Sequence, residues 1–232
     1  MKLDIDWTKQ LGEEWYSIPA VRNFVNSPYM ISLIVSIIKD SSEKTIYPPK
    51  QDVFKAFRLC SPKDLKVVIL GQDPYHDGSA TGLAFSNPAN KLSMSPSLKQ
   101  IWNACESATD TIAIDFDQTL ESWAQQGVLL LNTALTVEKG RPNSHADRWK
   151  KFTDFIIRYI SANHQATIFL LWGRHAQAFK NVDKDLEKNC HVLEAEHPVA
   201  ASYRGEKWKC NHFKRVNEII TGMNGKGFDI KW

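Results

Sequence analysis

The 232-residue sequence has only four cysteines, and they form no close pair. Cys60, Cys105, Cys190 and Cys210 lie far apart, with no CxxC and no Cys/His cluster at metal-ligand spacing. They read as reduced, mostly buried thiols. No apolar run approaches the ~18 residues that a membrane span needs. The opening MKLDIDWTKQLGEEW carries acids and lacks the apolar stretch of a secretory signal. A soluble, non-secreted protein is therefore expected, cytoplasmic, or nuclear in a eukaryotic or viral setting. The net charge is only +3, so the chain is no polycation, and a nucleic-acid partner would have to meet a local basic surface. There is no internal repeat, no low-complexity segment and no Ser/Gly-rich linker, which predicts one domain over 1–232. The GxSxG elbow, HExxH and the P-loop are missing too; GMNGKG near the end lacks the spacing and the following Ser/Thr.

Hydrophobic residues make up 43% of the chain, enough for a sizeable core. Four apolar runs read as buried strands: KVVIL (66–70), GVLLLN (127–132), ATIFLLW (166–172) and, more weakly, CHVLEA (190–195). Helical patterns separate them. SPSLKQIWNAC opens with Ser95 at a cap position and Pro96 at the first helical position. Trp149, Phe152, Phe155, Ile156, Tyr159 and Ile160 recur at helical spacing, as do Phe213, Val216, Ile219 and Ile220. Residues 1–60 read as two or three further helices of the same domain. The alternation predicts an α/β fold: a central four-stranded, mainly parallel sheet flanked by helices, with the active site at the carboxyl ends of the strands.

Each predicted strand hands over to a polar or glycine-containing segment: GQDPYH after 70, Asn132 at the end of the second run, GRHAQ from Gly173, and EHPVAASYRG with His197. A parallel sheet brings all four to one edge. Taken singly, each has a plain reading. Asp73 can be a solvated turn aspartate, His197 a structural loop histidine and Phe85 a core residue. Taken together, Asp73, Tyr75, Phe85, Asn132 and His197 offer a carboxylate, aromatic faces and an amide with both donor and acceptor. That set suits a planar heterocycle and a water held against an electron-poor carbon, the requirements of N-glycosidic bond cleavage.

GQDPYH, GLAFS, SPSL, LLLNTALTV, LLWGRHAQ and HPVAASYRG, in this order, resemble the family 1 uracil-DNA glycosylases, and the match runs from TIYPPKQDVFKAF at 45–57 to the C-terminus. The resemblance implies that uracil is flipped out of DNA and its glycosidic bond hydrolysed. It implies that Asp73 positions the attacking water and stabilises the sugar cation, while His197, as neutral imidazole, donates to uracil O2. Asn132 would read the O4/N3 edge, Phe85 would stack on the ring, Tyr75 would exclude the thymine methyl, and the backbone at Gln72 and Asp73 would help bind O2. Ser97 would contact a DNA phosphate, and Arg174, at the end of the third strand, is expected to touch the backbone; with His76, Ser95, Ala200, Ala201, Ser202, Tyr203 and Arg204 they make up the candidate DNA-contact set. No metal or organic cofactor is expected. The implied partners are uracil-containing DNA, single- and double-stranded, and a DNA-mimicking inhibitor protein, with no membrane and a monomeric enzyme. A scaffold or processivity relative is the rival reading, against which the joint presence of Asp73, Asn132 and His197 argues; a glycosylase for another lesion is disfavoured by Tyr75 and Asn132.

Three departures stand out. DGSATGL after His76 is one residue shorter than the usual version. Arg174 replaces a common serine. HPVAAS replaces HPSPLS, with one residue fewer before YRG, so the minor-groove leucine wedge is absent; Tyr203 and Arg204 are the nearest large side chains.

Overall fold

A computed structural model gives the fold and describes residues 5–109, 116–225 and 227–232. The first four residues of the opening segment discussed above lie outside the described residues. The chain begins with α1 (Trp7–Leu11), α2 (Glu13–Ser17), α3 (Pro19–Val25) and α4 (Pro28–Glu43). A short strand β1 (Ile46–Tyr47), a 3-10 turn over Lys50–Asp52 and α5 (Lys55–Leu59) follow. The N-terminal part is thus cut into five helices rather than two or three. Local chemistry accounts for the cuts. Gly12 adopts φ +86° between α1 and α2, and Pro19 and Pro28 each occupy a first-turn position.

The sheet then starts with β2 (Val67–Gly71). After it come α6 (Pro96–Thr109), α7 (Glu121–Gln125), β3 (Val128–Asn132), β4 (Val137–Glu138) and α8 (Ala146–Asn163). The remaining elements are β5 (Ile168–Trp172), α9 (Gly173–Gln177), α10 (Leu186–Asn189), β6 (His191–Ala195), α11 (Pro198–Tyr203) and α12 (His212–Asn224). The strand order is β3-β2-β5-β6 and all three pairings are parallel. Every residue of β2, β3 and β5 is buried, as expected for strands covered on both faces. Edge strand β6 is only partly buried, which fits its weaker apolar pattern.

Registration decides where the loops meet. Gly71 lies opposite Asn132, and Trp172 opposite Ala195. The turns that follow these residues therefore emerge side by side at one sheet edge. β1 and β4 form a separate antiparallel ribbon, Ile46 opposite Glu138. The sequence reading did not foresee it, since two-residue strands carry no periodicity.

α8 buries Trp149, Phe152, Ile156, Ile157 and Ile160 on one face, while Phe155 and Tyr159 are only partly covered. Phe155 is stacked on Phe24 at 4.2 Å between ring centroids. The N-terminal helices share this core. Phe54 packs edge-on against Trp149, and Phe57 against Phe152.

Candidate active site

Gly71 closes β2, and its lack of a side chain makes room for Asn132. A Cβ there would lie 2.2 Å from Asn132 Oδ1 and 2.9 Å from Ala84 Cβ. Glycine at 71 thus serves close approach rather than turn geometry. Asn132 itself is 6% exposed. Its carboxamide has no hydrogen-bond partner among the described residues, so donor and acceptor are both open to the cavity that Asn132 lines.

That cavity has a volume of about 220 Å³. Asp73, Tyr75, Phe85, Asn132 and His197 all line it, with Gln72, His76, Ser97 and Pro142. The five side chains on which the sequence reading rests are brought together.

The turn after β2 is fixed from behind. Thr133 Oγ1 donates to the Gln72 carbonyl at 2.8 Å, and the Ala134 N–H reaches the same oxygen at 3.0 Å. Since the Thr133 proton is engaged, His175 Nε2, 2.8 Å from Thr133 Oγ1, is the donor in that contact. On the open side, Asp73 Oδ2 accepts the Asn143 N–H at 2.7 Å, and Gln72 Nε2 donates to Asn143 Oδ1 at 2.6 Å. Burial raises the Asp73 pKa; the Asn143 N–H and the nearby His76 and His175 oppose that rise. The result is a carboxylate with one oxygen tied down in partly desolvated surroundings.

Tyr75 meets Ser95 hydroxyl to hydroxyl at 2.6 Å, and Lys91 Nζ sits 5.6 Å from its ring centroid. Burial pushes its pKa up to about 12, so it remains a neutral phenol. Phe85 is held at φ +65°, a conformation disfavoured for a side chain of this size, against Trp172 at 5.4 Å and His197 at 5.9 Å. Backbone strain thus coincides with the cavity at Phe85, and Asn143, beside the cavity-lining Pro142, adopts the left-handed φ of +64° that asparagine tolerates.

His197 is the N-cap of α11, and its Nδ1 accepts the Val199 N–H at 3.2 Å. A ring nitrogen that accepts carries no proton. The hydrogen-bond pattern therefore assigns the tautomer protonated at Nε2. Burial and the neighbouring His175 lower its pKa, which keeps the imidazole neutral. Gly173, at φ +83°, lets the end of β5 pass beneath this residue, since a Cβ there would stand 2.7 Å from His197 Cβ.

The DNA-contact set divides. Ser97 lines the cavity, and His76 is exposed at its rim. The Ser95 hydroxyl is taken up by Tyr75. Arg174 is exposed, has no ion pair among the described residues, and lines a small cleft with Gln72 and His197. Residues 198–203 form helix α11. Within it Ala200 is half-buried and Ala201 fully buried. The Ser202 hydroxyl meets Pro96 O and Gln100 Nε2 on α6. Arg204 is clamped between Glu196 at 2.6 Å and Glu206 at 2.8 Å. Within residues 198–204, Tyr203, 84% exposed, presents the large unengaged side chain.

Asn143, Pro142 and His175 escaped the sequence reading. The cluster GRPNSH at 140–145 is a strong turn signal beside a strand, and it marks the first two. Away from the cavity, donor atoms of Asp40, Glu138 and His145 lie within 4.8 Å of one another, a grouping the sequence spacing did not show. Lys44, Arg141 and Arg148 already pair with these carboxylates, so the cluster is a charge network rather than an open cation site.

A uracil-DNA glycosylase of Aliarcobacter butzleri is 44% identical over 216 residues, covering 91% of this chain and 97% of its own. The crystal structure of a mimivirus uracil-DNA glycosylase superposes with a TM-score of 0.83 at 26% identity, covering 94% of this chain and 86% of its own. A mimivirus UNG variant in complex with UGI superposes with a TM-score of 0.86 at 25% identity, covering 100% and 91%. The family model described as "Uracil DNA glycosylase superfamily" matches residues 57–221, which span every cavity residue named above, and the chain belongs to that superfamily.

Proposed function

We propose that this chain excises uracil from DNA, the opening step of base excision repair, with Asp73 and His197 dividing the chemistry. The observation that carries the reading is the meeting of Asp73, Phe85, Asn132 and His197 in one cavity at the ends of β2, β3 and the turn before α11. Uracil, swung out of the stack, lies against the Phe85 ring with its O4/N3 edge on the Asn132 carboxamide. Tyr75 occupies the space beside C5, where thymine carries a methyl.

The C1′–N1 bond breaks with its electron pair leaving on uracil. The Nε2–H of neutral His197 donates to O2, where the anion's charge collects. The Asp73 carboxylate stabilises the cationic sugar and holds a water, whose oxygen bonds to C1′ and whose proton passes to the carboxylate. The uracil anion then takes up a proton from water and Asp73 releases its proton to water, so that free uracil and an abasic site are the products. Ser97 and Arg174 contact phosphates of the DNA backbone in this reading. Tyr203 fills the role of the missing leucine wedge. A DNA-mimicking inhibitor protein is the expected competitor for the same face; the mimivirus complex with UGI supports that expectation.

The test is release of free uracil from single- and double-stranded uracil-containing oligonucleotides in the presence of EDTA. Uracil release with an abasic product is expected from both. Activity that EDTA abolishes and a divalent ion restores would contradict the reading, and so would DNA binding without release.

A further inference from the structure

The turn that holds Asp73 is itself held by charge. Glu138 ends β4 with its side chain only 7% exposed. Its Oε1 is 2.7 Å from Lys44 Nζ, just past the end of α4, and its Oε2 is 2.6 Å from Arg141 Nη1. Its backbone N–H donates to Ser144 Oγ at 2.8 Å, and its carbonyl accepts the Arg141 N–H at 3.0 Å. Both limbs of the 138–145 turn thus fold back onto one residue. His145 lies fully buried beneath it. His145 Nδ1 is 2.9 Å from Thr136 Oγ1, and Nε2 faces Asp40 at 3.4 Å and Glu138 at 3.9 Å without a well-formed hydrogen bond. Arg148, on α8, holds Asp40.

A carboxylate this buried carries a desolvation cost that an apolar strand residue would not, so Glu138 is not explained by strand stability alone. What the turn delivers is Asn143, whose N–H sits on Asp73 Oδ2 at 2.7 Å. Its other end is tied to the same catalytic turn, through Gly140 N–H to His76 O at 3.0 Å.

We propose that Glu138 is a positioning residue for Asp73: pinned by Lys44 and Arg141, it fixes the 138–145 turn so that the Asn143 N–H stays on the carboxylate. It touches no substrate and acts through Asn143. The inference rests on the reading of Asp73 as the acting carboxylate. Asp73 is faced by His76 from its own turn, by His175 from α9, and across the cavity by His197 at the start of α11. Loosening Glu138 leaves those groups in place and weakens only the Asn143 N–H, which favours the charged form. The Asp73 pKa then rises, and the acid limb of the kcat profile moves to higher pH.

The experiment compares pH profiles of uracil release by the full chain as wild type, Glu138→Gln, Lys44→Met and Asp73→Asn, with Tm measured in parallel. Glu138→Gln keeps the shape and removes the charge. Its kcat at neutral pH is expected to fall about 3- to 10-fold, the worth of one hydrogen bond. KM should change less than about twofold, and the acid limb should move upward. Lys44→Met, at a half-exposed partner, shifts the limb the same way by less, and it decides the matter if Glu138→Gln does not fold. A lower Tm or lower kcat with an unmoved acid limb in both variants overturns the proposal and leaves Glu138 a structural residue. An acid limb that persists in Asp73→Asn overturns the Asp73 reading instead, and the positioning role with it; the two failures are thereby told apart.

Discussion

Asn132 and Gly71 share one volume, and this makes the recognition end of the site sensitive to a single methyl group. The strand register fixes both backbones, so the Cβ of a Gly71→Ala chain cannot retreat from Asn132 Oδ1 at 2.2 Å. The carboxamide must move, and a misplacement of about 1 Å costs about 10²-fold in rate. Single-turnover uracil release should show that loss with little change in DNA affinity; a near wild-type rate would mean that Asn132 does not read the base. Gly173→Ala should act similarly on His197, through both the 2.7 Å contact and the strained φ of +83°. Asp73, Asn132 and His197 were legible in the sequence because side-chain chemistry at a strand end is unusual in itself. Asn143 was not, because it acts through a backbone N–H presented at φ +64°, which leaves no side-chain signature. The role of Gly71 was hidden for a related reason: the atom it avoids belongs to a strand about sixty residues away.

Among the elements, α11 carries the segment HPVAAS, which the sequence analysis sets apart from the HPSPLS pattern. Ala201 faces the core at 0% exposure, so leucine there would overpack α11 against its neighbours rather than project towards DNA. Ala201→Leu is expected to lower stability by about 1–3 kcal/mol, read as a drop in Tm, with no gain on duplex substrate. Tyr203 is the side chain proposed to fill a vacated stack. Its replacement by alanine should slow excision from duplex DNA by about 10-fold or more, since an aromatic stacking contact contributes about 1–3 kcal/mol, and should slow single-strand excision much less. Equal effects on the two substrates would remove Tyr203 from that role. His197 as cap and Pro198 at the first helical position are a helix-start signal, and the pair was open to reading as such. The four sheet strands, α6, α8 and α12 were legible because each carries a long apolar run or stripe. The β1–β4 ribbon and the four short N-terminal helices, α1, α2, α3 and α5, were not, since elements of two to seven residues are set by tertiary contacts and local breakers.

Across the whole molecule, buried histidines and paired carboxylates give stability two separate acid dependences. Burial lowers the pKa of His145, His164, His197 and His212 below the ordinary 6.5. The unfolded chain therefore binds more protons than the folded one once the pH drops below about 6.5, and stability falls from there. Asp40, Asp117, Asp183 and Glu138 are lowered by ion pairs and hydrogen bonds that outweigh their burial, so their contribution is lost only as the pH falls further, through the carboxylate range. Tm is expected to be flat from pH 8 to 7, to decline in a first stage below about 6.5, and to decline again below about 4. A single transition confined to the carboxylate range would show that the histidines are not held neutral. Asp73 has the opposite sign. Its raised pKa means that its charge opposes folding above that pKa, so Asp73→Asn should keep or increase Tm.

The measurement closest to the central claim is single-turnover uracil release by Asp73→Asn beside wild type, with DNA affinity and Tm taken on the same preparations. The carboxylate acts on the charge that develops as the glycosidic bond breaks, so its loss belongs in the chemical step. Release should slow by at least about 10²-fold, with affinity for uracil-containing DNA within a few-fold of wild type and Tm not lowered. A variant that releases uracil at close to the wild-type rate, or one whose loss lies wholly in DNA binding, would contradict the account.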